Sequence, residues 1–171
     1  GYGSPIYTDS KYAWGTSLKP TNVPETNNEI GLYRTTVTIP ENWDGRDVFI
    51  TFEGVSSACY VYVNGYMVGY GEDAFTNKSF WITQYLQEGE NTIAVKAYKY
   101  VYSSWLEAHD SVKLGGIFGD VYLYSTPEVY IRDVAIDSGL DDEFENALMQ
   151  IEVEIATFKA APTGYTLDIA M

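Results

Sequence analysis

Short runs of β-branched and aromatic residues, bounded by turn residues, recur along this chain and predict strands, and in some of them apolar and polar positions alternate. Residues 32–39 are rich in β-formers and end at Pro40, and 48–52 follow the turn at Asp44-Gly45. The clearest local signal is Cys59-Tyr60-Val61-Tyr62-Val63, then Asn64-Gly65, then Tyr66-Met67-Val68-Gly69-Tyr70. Asn-Gly tolerates the positive φ angles of a tight turn between two strands, so this segment predicts a hairpin. Residues 79–82 predict a short strand and 83–87 a single helical turn. In 92–98, Ile93, Val95 and Ala97 share one face. Residues 116–119 lead into a further strand at 120–124. Many short strands, closely spaced turns and almost no helix predict a β-sandwich. The first thirty residues, rich in Gly, Pro, Ser, Thr and Asn, predict an irregular arm across a surface.

Ser125-Thr126-Pro127 predicts a boundary, giving domains at 1–126 and 127–171. Beyond it, 129–136 and 148–158 predict strands around an acidic loop at 137–145, and 165–171 alternates as a strand would. That makes roughly three strands, fewer than the seven of an immunoglobulin-type sandwich. Such a second domain is expected to be incomplete, the chain being cut in mid-domain. Val134, Ile136, Ile151, Val153 and Ile155 are expected on an apolar face that invites self-association.

Charge narrows the classes of partner. Acids outnumber bases 24 to 10 and the net charge is −14, which opposes nucleic-acid phosphates and anionic membrane surfaces. No apolar run approaches a membrane span. Tyrosine accounts for 16 residues and suits both strands and contact surfaces. The single cysteine, Cys59, excludes an intrachain disulfide and leaves cytoplasm and periplasm equally open. It reads as a small buried hydrophobe. There is no phosphate-binding glycine loop, paired-cysteine metal site or nucleophile elbow. The one histidine, His109, cannot anchor a multi-histidine metal site.

Several strings go further when taken in order. Phe52-Glu53-Gly54-Val55-Ser56-Ser57-Ala58 precedes Val63-Asn64-Gly65 and Val68-Gly69-Tyr70. Gly89-Glu90-Asn91-Thr92-Ile93-Ala94-Val95, Leu106-Glu107-Ala108-His109-Asp110 and Gly116-Ile117-Phe118-Gly119-Asp120-Val121-Tyr122-Leu123 follow. Together they resemble the sugar-binding domain of glycoside hydrolase family 2, in its β-galactosidase branch. Ser4-Pro5-Ile6-Tyr7-Thr8-Asp9 is similar to that branch's Pro-Ile-Tyr-Thr-Asn arm. The resemblance is close over residues 3–126 and weaker beyond.

The resemblance implies a jelly-roll first domain, the start of an immunoglobulin-like second, and a catalytic (β/α)8 barrel in the parent. It implies retaining hydrolysis of β-galactosides by two glutamates on that barrel. Nothing in this sequence matches the barrel, so no catalytic residue is assigned and the chain alone is expected to be inactive. Two positions carry over. Asp110 matches an aspartate that helps bind the galactosyl hydroxyls and a sodium ion shared with the barrel. Asp9 stands where the arm has a sugar-contacting asparagine, losing the amide donor and adding a charge. Sodium and magnesium are implied for the full enzyme. Val101-Tyr102-Ser103-Ser104 departs from the family's Ser-Asp-Gly-Ser loop.

Simpler roles stand beside these. Asp110 read alone is a surface acid, Glu107 holds its loop by hydrogen bonds, and His109 is an exposed loop residue. Tyr100, Tyr102 and Trp105 offer ring faces to a sugar or simply pack. The expected partners are a β-galactoside and the rest of the parent enzyme. A free-standing carbohydrate-binding module and a purely structural sandwich are the rival functions.

Overall fold

The computed structural model describes residues 6–8, 19, 21–107, 111–158 and 163–170, and the chain divides into two compact units, Gly1–Ser125 and Thr126–Met171. The first unit holds β1 (Ile6–Thr8), β2 (Ile30–Thr38), β3 (Asp47–Phe52), β4 (Val55–Ser56), β5 (Ala58–Val63), β6 (Tyr66–Glu72) and β7 (Lys78–Trp81). After these come β8 (Glu90–Tyr98), β9 (Ser111–Lys113), β10 (Gly116–Ile117) and β11 (Val121–Thr126), the last running to the unit boundary.

These strands build a sandwich. One sheet has the order β2-β8-β5-β6 and the other β11-β3-β7, with short ladders β1-β9 and β10-β4 beside them. Alternation explains the layering. Cys59, Val61 and Val63 of β5 and Ile93, Val95 and Ala97 of β8 turn inward to meet Val48, Ile50 and Phe52 of β3. Removing each large side chain in this cluster from water stabilises the fold by about 1.5–3 kcal/mol. β3 is central in its sheet and buried along its whole length, so its other face is also covered. There Phe49 stacks on Tyr124 with ring centroids 4.9 Å apart. Asp47 accepts a 2.9 Å bond from Trp81 Nε1, and the Thr51 and Ser79 hydroxyls pair at 2.6 Å.

The Asn64-Gly65 turn closes the β5-β6 hairpin with φ of 51° and 85° at its two residues, in the left-handed region that this pair tolerates. Four short strands were not expected from the sequence. β1 lies inside the segment read as an irregular arm and pairs with β9, and β4 pairs with β10 at Val55–Ile117 and Ser56–Gly116. All four are too short to show a period. The helical turn expected at 83–87 is a 3-10 turn at Thr83–Tyr85.

The second unit contains β12 (Val129–Leu140) and β13 (Ala147–Thr157), paired antiparallel. β12 continues through the first part of the segment read as an acidic loop, because Asp137 and Ser138 still pair with Gln150 and Met149. Residues 163–170 form no strand, so the alternation at 165–171 did not produce one where the chain is described. A register shift between Ile131 and Asp133 makes Arg132 the extra residue of a bulge. Beyond it Val134 faces Val153 and Ile136 faces Ile151, while Ile131 faces Ile155. These six share one face. The opposite face carries Asp133, Glu152 and Glu154, the last bound to Arg132 at 2.9 Å.

Candidate functional site

Asp9, Asp110 and His109 lie outside the described residues. Thr8, which precedes Asp9, and Ser111, which follows Asp110, are described. β1 runs antiparallel to β9 with Ile6 opposite Lys113, Tyr7 opposite Val112 and Thr8 opposite Ser111. The arm is therefore laddered to the strand that follows Asp110, and the ladder's last pair joins the residue after which Asp9 comes to the residue before which Asp110 stands. Thr8 and Ser111, about a hundred residues apart, are brought together by this ladder.

The segment leading towards Asp110 is fastened at several points. Asn28 grips Tyr100 from both sides, its Nδ2 donating to the carbonyl at 3.0 Å and its Oδ1 accepting from the N–H at 2.9 Å. The buried Ser104 hydroxyl accepts from Val101 N at 2.9 Å within a 3-10 turn at Tyr102–Trp105. Glu107 Oε1 accepts from the Ala74 N–H at 2.9 Å, tying the segment to the β6-β7 loop. The holding role expected for Glu107 is thus visible. Tyr102 is exposed, whereas Tyr100 and Trp105 are half-buried. Lys99 Nζ sits 5.2 Å from the Tyr100 ring centroid and binds Glu29 at 2.7 Å.

The β6-β7 loop is itself ordered by charge. Asp73 Oδ1 accepts from Phe75 N at 2.9 Å and its Oδ2 from the Thr76 hydroxyl. Lys78, only 7 % exposed, turns its ammonium inward to the Asp73 carbonyl and, at 3.0 Å, to the Thr76 carbonyl. The Thr76 hydroxyl and the Phe75 N–H hold the Asp73 carboxyl below its ordinary value. At the end of β6 the Tyr70 hydroxyl donates to Glu72 and, with Ser103 beside it, lowers the Glu72 carboxyl. Burial, and then Glu72, push the Tyr70 phenol upward. Both carboxyls are held ionised, so neither is poised as a general acid. Asn28, Asp73 and Lys78 carried no motif in the sequence, and the burial of Lys78 becomes visible only in the fold.

A close approach completes this end of the sandwich. Phe118 N and Gly119 N both donate to the Gly54 carbonyl, at 3.0 and 3.2 Å. A Cβ on Gly54 would lie 2.5 Å from Phe118 Cε2, which is why glycine stands there. Cys59 is fully buried and burial pushes its thiol up, as suits an inert core residue. Among the described residues no group of three or more His, Cys, Asp or Glu could hold a metal ion, and no helix is long and apolar enough to cross a membrane.

Comparison with known proteins agrees with this architecture. Residues 1–127 match the family described as glycosyl hydrolases family 2, sugar binding domain. A β-galactosidase of Priestia megaterium is 46% identical over 160 residues, covering 92% of this chain and 16% of its own length. One from Clostridium acetobutylicum is 41% identical over 157 residues, covering 91% and 18%. The chain thus spans under a fifth of the length of these two relatives. Among solved structures, a putative β-galactosidase from Bacteroides fragilis superposes with a TM-score of 0.67 at 28% identity, over 79% of this chain and 21% of that one. A β-glucuronidase from an uncultured Clostridium gives 0.65 at 22% identity over 75% and 24%, which shows a shared fold.

Proposed function

Because the chain belongs to glycosyl hydrolase family 2 through its sugar-binding domain, we propose that it serves as part of a β-galactosidase, hydrolysing terminal β-galactosides with retention. Its first unit scaffolds a catalytic barrel and completes one wall of the galactose pocket. The observation that supports this most directly is the Thr8–Ser111 pair, which brings together the two segments bearing Asp9 and Asp110. In this reading Asp110 accepts hydrogen bonds from galactosyl hydroxyls and lends its charge to a sodium ion shared with the barrel. Asp9 offers the sugar two acceptor oxygens and no donor. The sodium supplies a fixed positive charge that orients hydroxyl oxygens. Magnesium is assigned no residue of this chain.

The acid and the nucleophile of retaining hydrolysis must flank the glycosidic bond, and in this reading both come from the barrel. The purified chain should show no turnover of a chromogenic β-galactoside. Activity that stays with the pure chain and disappears on substituting one of its own carboxylates would overturn the assignment. In the full-length protein that carries this segment, Asp110→Asn should weaken galactoside binding by about 1.5–3 kcal/mol and blunt the response to sodium. Unchanged kinetics together with an unchanged sodium response would remove Asp110 from the pocket.

A further inference from the structure

At the Asn64-Gly65 end of the four-stranded sheet lies a concavity remote from the Tyr100–Glu107 segment. Arg34 of β2, Tyr62 of β5, Asn64 and Gly65 of the turn that follows, Thr92 and Ala94 of β8, and Gln87 line a shallow open cleft of about 580 Å3. Its place follows from register. Arg34 sits opposite Ala94, and Tyr62 sits opposite Ala94 from the other side, so all three project from the outer face. Thr92 is six residues along β8 from Tyr98, which puts the cleft roughly 20 Å from the end where the Tyr100–Glu107 clamps lie.

The cleft is preorganised. Asn64 Nδ2 donates to Asn91 Oδ1 at 2.8 Å and to the Tyr85 carbonyl at 2.9 Å, and Asn64 Oδ1 accepts from Thr92 N at 2.9 Å. Asn91 Oδ1 also accepts from Gln87 N at 2.8 Å, and Gln87 Nε2 donates to the Glu90 carbonyl at 3.0 Å. These bonds use up the Asn64 amide and fix the walls. They leave the chemistry of the surface to others: the Arg34 guanidinium, the Tyr62 ring and hydroxyl, the Thr92 hydroxyl and the Gln87 side-chain oxygen. Among the described residues Arg34 forms no ion pair, although acids outnumber bases 24 to 10 in the chain. No carboxylate lines the cleft, so it is not built for a cation. The net charge of −14 repels anions at a distance. A fork of N–H donors, a ring face and small hydroxyls, with no partner of opposite charge, suit an uncharged polyol whose C–H face packs on the ring.

We propose that this cleft is an accessory binding site for a neutral saccharide, separate from the galactose pocket, with Tyr62 as its platform and Arg34 as its principal hydroxyl donor. The ligand class rests on the family's sugar-binding description; the location rests on the cleft alone.

The test is a titration of the isotope-labelled chain with lactose, followed by backbone amide resonances, with sodium sulfate as the competing probe. Lactose should shift the amides of Arg34, Tyr62, Gln87 and Thr92 in the millimolar range, and sulfate should not. Arg34→Ala and Tyr62→Ala should each weaken that response about tenfold or more. Arg34→Lys should also weaken it, because an ammonium lacks the planar fork. Unperturbed amides in the core strand β3 will show that each variant is folded; Tyr62→Leu serves if Tyr62→Ala is not. Asp110→Asn should leave the response intact, whereas it would abolish any lactose shifts near Ser111, so the two sites fail separately. No shift at the cleft amides, a shift from sulfate alone, or a lactose response that Arg34→Ala leaves unchanged would overturn the proposal.

Discussion

Asn91 shows what a single residue contributes here. It is fully buried, and its amide makes four hydrogen bonds: Oδ1 accepts from Asn64 and Gln87, and Nδ2 donates to the carbonyls of Gln87 and Gly89 at 3.0 and 3.1 Å. Truncation would take the shared partner from all four groups at once. Asn91→Ala should therefore destabilise the first unit by about 1–3 kcal/mol, read as a lower urea midpoint at unchanged slope. Phe52→Ala removes a core ring instead and should cost about 3–5 kcal/mol. The sequence makes Phe52 legible, because it ends the β-rich, mostly apolar run 48–52. It leaves Asn91 opaque, since an asparagine beside Gly89-Glu90 reads as a loop residue until its partners are seen. The same blindness hid Lys78, whose ammonium is satisfied by carbonyls that carry no side-chain signature.

Strands and hairpins were legible wherever one face is buried and the other wet. The Asn64-Gly65 hairpin and β8 follow directly from that rule. β1 was not legible, because three residues cannot display a period and its partner β9 lies far away in sequence. The bulge at Arg132 is the instructive case. Ile131 and Val134 are three apart, so a strict two-residue period puts them on opposite faces and leaves Ile131 out of the apolar set. The extra residue restores them to one face. Deleting Arg132 should accordingly preserve the Val134–Val153 and Ile136–Ile151 pairs, whereas deleting Ala135 should break the face at Val134. Cross-strand contacts between amide and α protons would show which pairs survive. The turn at the end of this hairpin depends on Asp141. Its carboxylate accepts from Asn146 Nδ2 at 2.6 Å and from the N–H groups of Glu145 and Asn146 at 2.8 and 3.1 Å. The Asn146 amide, followed by the Glu145 N–H, lowers the carboxyl. A lowered folded value means the turn's contribution is complete above the unfolded value of about 3.9 and is lost as pH falls through the folded one. Protection of the Glu145 and Asn146 amides, taken relative to their intrinsic exchange rates, should fall as pH drops through that acid window, and Asp141→Asn should remove this extra pH dependence.

At the scale of the molecule, the two units differ in how their apolar surface is covered. The first closes a sandwich around one cluster. The second presents Ile131, Val134, Ile136 and Ile155 largely exposed on a two-stranded hairpin, and such a hairpin is marginal alone. In dilute solution the amides of β12 and β13 should exchange well before those of β8. Protection should grow with protein concentration if the apolar face is covered by a second copy. Added salt should strengthen that association, because it screens the repulsion between two chains each carrying −14. Concentration-independent protection equal to that of β8 would show that the hairpin needs no such cover. The sandwich itself was legible from many short strands, frequent turn signals and the near absence of helix, but the pairing of its strands was not, because β2-β8 and β3-β11 join segments distant in the chain.

The turn at Asn64 and Gly65 carries one more consequence, for how the protein ages. An asparagine followed by glycine is chemically fragile, because the glycine nitrogen can attack the side-chain carbonyl, expel ammonia and leave an acid after hydrolysis. That attack requires the side chain to swing back over its own backbone. Here both ends of the amide are already held, the oxygen by Thr92 N and the nitrogen by Asn91 and Tyr85. The fold should therefore act as a preservative for its own most perishable bond. Peptide mapping after prolonged storage should find Asn64 intact in the folded chain, converted in urea, and converted without denaturant in Asn91→Ala. Conversion at equal rates in all three would mean that the tether confers no protection.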